Sequence, residues 1–259
     1  MTTISVLAMI LFVLMSVIGG KKGLLSFSVM LIHVSVIIVA VLIMTDPGAS
    51  PIIITLIASV IISYVTLYLI NGKNKKTQTA FVATMMTMVV LVGLIHLFVL
   101  LTNVGGFSTE EVEELSIYSF YFGVNFTEVI TSVIILSTIG AVTDEAISVA
   151  SPMYELFKYS PNQSRKELFN SGMQVGIDLL ATSANTLFFA FFGSYLALLV
   201  RFFDMGYHLS EVLNAKVFVQ EIVTILLSGM GVLLIVPVTA YLTAYRLTTK
   251  KESDTSINM

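Results

Sequence analysis

Apolar residues fall in blocks of about twenty along the whole chain, separated by short polar or turn-forming stretches. A hydrocarbon core of roughly 30 Å takes about 20 residues of helix to cross. Seven blocks approach or exceed that length, near 3–19, 24–44, 51–70, 79–102, 126–155, 173–200 and 217–245. An outer-membrane barrel would instead alternate over about ten residues per strand, so the pattern predicts an all-α, polytopic membrane helix bundle. The connections Gly19 to Gly23, Thr45 to Pro51 and Asn71 to Gln78 hold turn formers and leave no room for a folded soluble domain. One transmembrane domain over 1–247 is expected, with a polar, frayed cytoplasmic tail over 248–259.

The longest outer connection runs from Asn103 to Asn125. Its Ser108-Thr109-Glu110-Glu111 is a capping-box pattern and its Tyr118-Ser119-Phe120-Tyr121-Phe122 is rich in interface-seeking aromatics, which predicts an interfacial helix. The alternative is an acidic vestibule around Glu110, Glu111, Glu113 and Glu114. Inside, Pro161 breaks the chain and Ser164-Arg165-Lys166-Glu167 predicts a helix restart that feeds the sixth span. Outside, a short helix capped by Ser210 is expected before the seventh. No basic residue precedes the first block and Lys21-Lys22 follow it, the reverse of a signal peptide's charge order, so it is expected to be a permanent span.

Composition agrees with this reading. The chain is 56% hydrophobic and 11% charged, against about a quarter charged in an ordinary soluble domain. Lys21, Lys22, Lys73, Lys75, Lys76, Lys158, Arg165, Lys166, Arg246, Lys250 and Lys251 fall on one side of the seven-span topology, and only Arg201 and Lys216 on the other. The positive-inside rule then places the N-terminus outside and the C-terminus in the cytoplasm. These bases form a topology signal rather than a patch, and the net charge of −3 carries no message about nucleic acid. The lack of cysteine excludes disulfides and thiolate metal sites.

One pair of residues breaks the apolar pattern where it costs most. Asp144 and Glu145 lie inside the run from Val129 to Met153, and a carboxylate at the middle of a membrane helix costs about 2.5–3.5 kcal/mol on insertion scales. Such groups usually face a bundle interior and serve a proton, ion or substrate pathway. Ser137, Gly140, Asp144, Ser148, Ser151 and Glu155 recur every three or four positions and share one helix face, with Glu145 about 100° round. In the sixth span, Gln174, Asp178, Thr182 and Asn185 form a second polar face. Antiparallel packing is expected to turn the two faces toward each other, with Gly140, Ala141, Ala181, Ser183 and Ala184 allowing close approach. Enclosed together, two carboxyls titrate unequally, which makes a protonatable site. Glu221, Thr224 and Ser228 of the seventh span and Ser59, Ser63 and Thr66 of the third extend the polar interior. His33 and His96 are either relay members or hydrogen-bonded packing residues. The bland reading of the hydroxyls is backbone bonding, and that of the acid pair is a buried carboxyl held by hydrogen bonds.

Gly140-Ala141-Val142-Thr143-Asp144-Glu145-Ala146-Ile147, Ser171-Gly172-Met173-Gln174-Val175-Gly176-Ile177-Asp178 and Thr182-Ser183-Ala184-Asn185-Thr186-Leu187 together resemble the YibE/F family of bacterial membrane proteins. The likeness covers most of the chain and is closer to the YibF type, since there is no space for an extracytoplasmic domain after the first span. It implies a bacterial inner-membrane location and a YibE-like partner that carries such a domain. Gly140 to Ile147 also resembles the Gly-x-x-x-Asp-Asp-Ala-Ile pattern of resistance-nodulation-division exporters, with Glu145 in place of the second Asp, and Ala181-Thr182-Ser183 resembles the next helix of those exporters and of SecD/SecF. Spans two to seven would then correspond to a six-helix exporter core. This likeness implies a proton-binding role for Asp144 and, by extension, Glu145. The exporters supply a cation to pair with these acids; no Lys or Arg lies within the spans of this chain.

No nucleotide-binding glycine loop, nucleophile elbow or zinc-protease helix is present, and His208 with Glu211 lacks a third metal ligand nearby. Neither an enzyme nor a bound cofactor or metal is expected. The expectation is a membrane subunit of a proton-coupled export or transport complex, with Asp144 and Glu145 as the coupling pair and Ser148, Asp178, Thr182, Asn185 and Glu221 along a polar path. The alternative is a non-transporting assembly subunit for a partner with an extracytoplasmic domain.

Overall fold

The structure, a computed structural model, describes residues 2–102, 104–105 and 125–257. Its elements are α1 (Thr3–Met44), α2 (Pro51–Tyr64) continued by a π-helical turn (Val65–Ile70), α3 (Lys75–Thr102), α4 (Phe126–Tyr159), α5 (Arg165–Asp204), the short α6 (Leu209–Asn214) and α7 (Lys216–Ile257). No strand occurs among the described residues. The segment expected to form an interfacial helix or acidic vestibule, 106–124, lies outside them.

Six helices are long and apolar enough to cross a membrane, and the first of them folds back on itself. At Gly20 the backbone takes φ 55°, ψ −136°, a conformation that essentially only glycine adopts. The rings of Phe12 and Phe27 consequently meet at 5.1 Å, whereas 15 residues of straight helix would separate them by about 22 Å. A Cβ on Gly23 would sit 1.8 Å from the Met15 carbonyl oxygen. One glycine reverses the chain, and the other lets the two arms, 3–19 and 21–44, touch. The chain is therefore a multi-pass helical membrane protein with six membrane-capable helices, and the fold at Gly20 divides the first of them into two arms that match the first two expected blocks.

Local chemistry sets the other helix ends. Pro51 starts α2 at the position where its missing N–H costs nothing, and Gly72 at φ 75° turns the chain after the π-helical turn. Asn125 caps α4 by accepting the Thr127 N–H at 3.1 Å. Ser164 and Glu167 close a reciprocal capping box at the start of α5, where the sequence places a restart. The short α6 is capped at His208 rather than Ser210, because the Glu211 carboxylate reaches back to accept the His208 backbone N–H at 2.6 Å. At the other end, α7 continues to Ile257 through most of the segment expected to fray.

The centre of the bundle is α4, packed on α2, α3 and α7. Its Ile134, Ile135, Val142, Ala146 and Ala150 meet Leu67, Ala80, Leu91, Leu227 and Ile235 in one apolar core. Interhelical hydrogen bonds fix the register: Ser50 donates to Glu128 at 3.3 Å, Thr138 meets Ser228 at 3.0 Å, Ser63 meets Thr143 at 3.1 Å, and Thr79 meets Tyr154 at 3.0 Å. Toward the C-terminal ends of α4 and α7, Arg246 donates to Thr79 at 3.2 Å, and Lys76 donates to Ser151 at 3.0 Å. Each such bond in a membrane protein contributes about 0.6 kcal/mol; together they specify alignment more than they add stability. By contrast, α5 lies at the periphery, along α7 and against part of α4.

Candidate functional site

The site is built on the contact between α4 and α5. Two pairs of residues define it: Met153 against Gly172 toward the C-terminal end of α4, and Glu145 against Ser183 nearer the middle. As the residue number falls on one helix it rises on the other, so the helices run antiparallel. Glu145 lies 19 residues past the start of α4 and Ser183 18 past the start of α5, which places their bond near the middle of both helices.

Glu145 points inward. It is 5% exposed, and its Oε2 accepts the Ser183 hydroxyl at 2.9 Å. Its Oε1 is buried without a hydrogen-bond partner. Asp144 is exposed. A step of one residue is about 100° of rotation, which carries its carboxyl off the interior face and onto the outer surface of the chain. The acidic pair is therefore split, with one member enclosed and the other presented outward at the same depth.

The rest of the polar stripe follows Asp144. Ser137, Gly140, Ser148 and Glu155 are all exposed, with Ser151 half-buried beneath Lys76. On α5, Gln174, Asp178, Thr182 and Asn185 are exposed as well, and Gln174 donates to Asp178 at 3.4 Å. This corrects the expectation that the two polar faces pack against each other and enclose both acids. The contact between the helices is made instead by Glu145, Ser183, Met153 and Gly172, because glycine and serine are the positions small enough for close approach. A Cβ on Gly172 would lie 2.4 Å from the Met153 sulfur, and one on Gly176 would lie 2.2 Å from a Val236 methyl on α7. Gly140, expected to serve that purpose, has no neighbour within 4 Å of its Cβ position, and Ala181 and Ala184 are exposed.

Although the two stripes do not face each other, they share a flank. Stepping back one residue from each member of the Glu145–Ser183 bond leads to Asp144 and to Thr182. Because the helices are antiparallel, these two rotations of about 100° swing both side chains to the same side of the plane through the helix axes. Ser148 and Thr186, three residues forward of the bonded pair, lean to that side too. Asp178 and Asn185 lie further round α5, away from α4. A shallow, open hollow of about 610 Å³, lined by Ala181, Thr182, Asn185, Thr186, Phe189 and Ala190, runs along the outward surface of α5 alone.

Glu221 belongs elsewhere. It accepts a hydrogen bond from Tyr195 where the C-terminal part of α5 meets the start of α7, about 20 Å along α7 from the level of Glu145 at 1.5 Å per residue. The structure does not bring it to the acidic pair. His33 bonds Thr66 at 3.1 Å where α1 meets the π-helical turn, a packing role, and His96 is exposed. Sequence reasoning missed Ser183 as the partner of Glu145, although the residue was in view as a small contact. It also missed the Gly172-x-x-x-Gly176 spacing, a signal for close helix approach that was there to be read.

Compared with known families, the chain matches the model of the YibE/F-like proteins over residues 7–249 and belongs to that family. No curated protein matches it. No solved structure matches it either.

Proposed function

We propose that this YibE/F-like chain is the membrane subunit of a proton-coupled export or transport complex in a bacterial inner membrane, with Glu145 and Asp144 as its proton-bearing pair. The observation that carries the reading is Glu145. A carboxyl at mid-helix, 5% exposed, with one oxygen bonded to Ser183 and the other unpaired, is costly to keep in an apolar bundle. Such groups mark functional sites by default. No cation of this chain approaches the pair closely enough to form an ion pair among the described residues, so a proton is the charge that the site itself can gain and lose. The likeness of residues 140–147 to the exporter motif supports the same assignment.

In this reading Asp144, on the open flank, meets the proton pathway, and Ser183 positions Glu145. Thr182 and Ser148 provide polar footing along the flank, with Asp178 and Asn185 on its far edge. Purified complex in sealed vesicles with an internal pH dye tests it. Wild type should admit protons down an imposed gradient, and Asp144→Asn and Glu145→Gln should each reduce that flux about tenfold or more, the scale of a lost proton-transfer group. Equal flux from wild type and both variants would reject it.

A second reading, an assembly subunit that transports nothing, draws on the periphery of α5. Its best membrane window is 6% buried within the chain, which suits a helix whose main contacts lie with another protein. That reading predicts unchanged flux together with loss of complex when the α5 surface is altered.

A further inference from the structure

Two hydrogen bonds tie α2 to α4, Ser50 to Glu128 at 3.3 Å and Ser63 to Thr143 at 3.1 Å. Residue numbers rise together from one bond to the other, so the two helices run parallel, and about 20 Å of α2 separates the bonds at 1.5 Å per residue. Thr55, Ser59 and Ser63 recur every fourth position on α2 and share one face. On α4, Ser132, Ile139 and Thr143 share another, since the step from Ser132 to Thr143 is about three turns. Because Ser63 meets Thr143, these two faces oppose each other. Between the bonds lie three hydroxyls without a partner in the chain: Thr55 and Ser59, both 0% exposed, and Ser132, 2% exposed. Helix hydroxyls can return to the carbonyl one turn back, as Thr66, Thr131 and Thr138 do on these same two segments. These three do not, and a buried hydroxyl left unpaired is costly. Ser59 stands one turn, about 6 Å, from Thr55 on one side and from Ser63 on the other. That is too far for a direct hydrogen bond, but it is the span of two bonds of about 2.8 Å through a single water.

We infer that the seam between α2 and α4 holds a file of bound water, leading from Glu128, half-buried near the start of α4, past Ser132, Thr55 and Ser59 to the Ser63–Thr143 bond, and that protons enter the bundle along it. Water suits the three hydroxyls better than a metal cation does, because they carry no charge to balance one in an apolar core. A buried water makes about three hydrogen bonds to groups of this kind. Counted from the Ser50–Glu128 bond, Thr55 lies five residues on and Ser132 four, so they stand at one depth on opposite walls of the seam. Thr143 adjoins Asp144 in the chain, so the file ends at the depth of the acidic pair. Hydroxyls and water both donate and accept, which is what a chain that hands protons along requires. The use of the file by protons rests on the proton-coupled reading above; the binding of water does not.

Water bound beside a buried side chain is revealed when a brief X-ray pulse converts it to hydroxyl radicals that oxidise its neighbours, read residue by residue by mass spectrometry. In the purified complex, Ile139, 3% exposed and on the seam, should be oxidised, whereas Ile95, 1% exposed on α3, should not. Ser59→Ala and Thr55→Val each remove one hydroxyl with little change of volume. Each should abolish the oxidation of Ile139 and leave that of exposed Val89 unchanged, which also shows that the variant is folded. In sealed vesicles each should lower the proton flux about tenfold, the scale of a lost proton-transfer group. Oxidation of Ile139 no faster than that of Ile95, or equal in wild type and both variants, would overturn the inference. Flux that both variants leave unchanged while Glu145→Gln abolishes it would reject the route and keep the proton-bearing pair. Oxidation that depends on the hydroxyls, in a wild-type complex that moves no protons, would reject proton coupling and keep the bound water.

Discussion

Within one carboxyl group, Glu145 meets two environments, and that asymmetry sets what a substitution at its partner does. Ser183→Ala removes the donor to Oε2 and leaves both oxygens unpaired in a buried position. Stranding a buried acceptor costs about 1–3 kcal/mol in soluble proteins, and membrane hydrogen bonds average about 0.6 kcal/mol. The expected loss is about 1 kcal/mol, read as a shift of the unfolding midpoint in detergent. Asp144→Asn, at an exposed position, should change the stability of the isolated chain by less than about 0.5 kcal/mol. A large loss for Asp144→Asn together with none for Ser183→Ala would reverse the assignment of the inward and outward acids. Sequence spacing placed Asp144, Ser148 and Glu155 on one face and Glu145 about 100° away. It could not say which of the two directions was inside, because periodicity reports which residues share a face and not what that face meets. The expectation that polar faces turn inward failed here because small hydroxyls and alanines already fill the interior of α4. Thr138 and Thr143 bond Ser228 and Ser63, and Ala146 and Ala150 complete the surface.

At the scale of elements, the placement of α5 depends on glycines rather than on its polar residues. Gly176→Val would drive a side chain into Val236, whose methyl lies 2.2 Å from the Cβ position. Overpacking of this kind costs about 1–3 kcal/mol and should loosen α5 from α7. Gly140→Ala, with nothing within 4 Å, should be neutral or stabilise α4 by up to about 1 kcal/mol through helix propensity. Unfolding midpoints of the two variants in the same detergent check the contrast, and equal effects would contradict the packing described. Helix existence was legible throughout, since each span carries its own apolar length. The capping boxes were legible where Ser164 and Glu167 stand three apart, and less so at His208, where Glu211 caps a backbone N–H without help from a Ser or Thr. The partner of α5 was not legible: that α5 leans more on α7 than on α4 is a tertiary choice made by Gly172 and Gly176 against Val236 and Ala240.

For the whole molecule, the reversal at Gly20 decides the count of crossings and hence the side on which the N-terminus lies. With seven crossings, a cysteine placed at Thr2 should react with a membrane-impermeant maleimide added outside intact cells, and one at Lys22 should react only after the membrane is opened. A straight Thr3–Met44 helix would invert this relation or abolish it. The account depends on the claim that the flank bearing Asp144 faces the rest of its complex and the proton pathway in the working membrane, not lipid. A spin label on Thr186→Cys in native membranes, with collision rates for oxygen and for a polar nickel complex, measures this most directly. The account predicts a low oxygen rate at Thr186 beside a high oxygen rate at Val89→Cys, a position 77% exposed near the middle of α3. An oxygen rate at Thr186 equal to that at Val89 would contradict it.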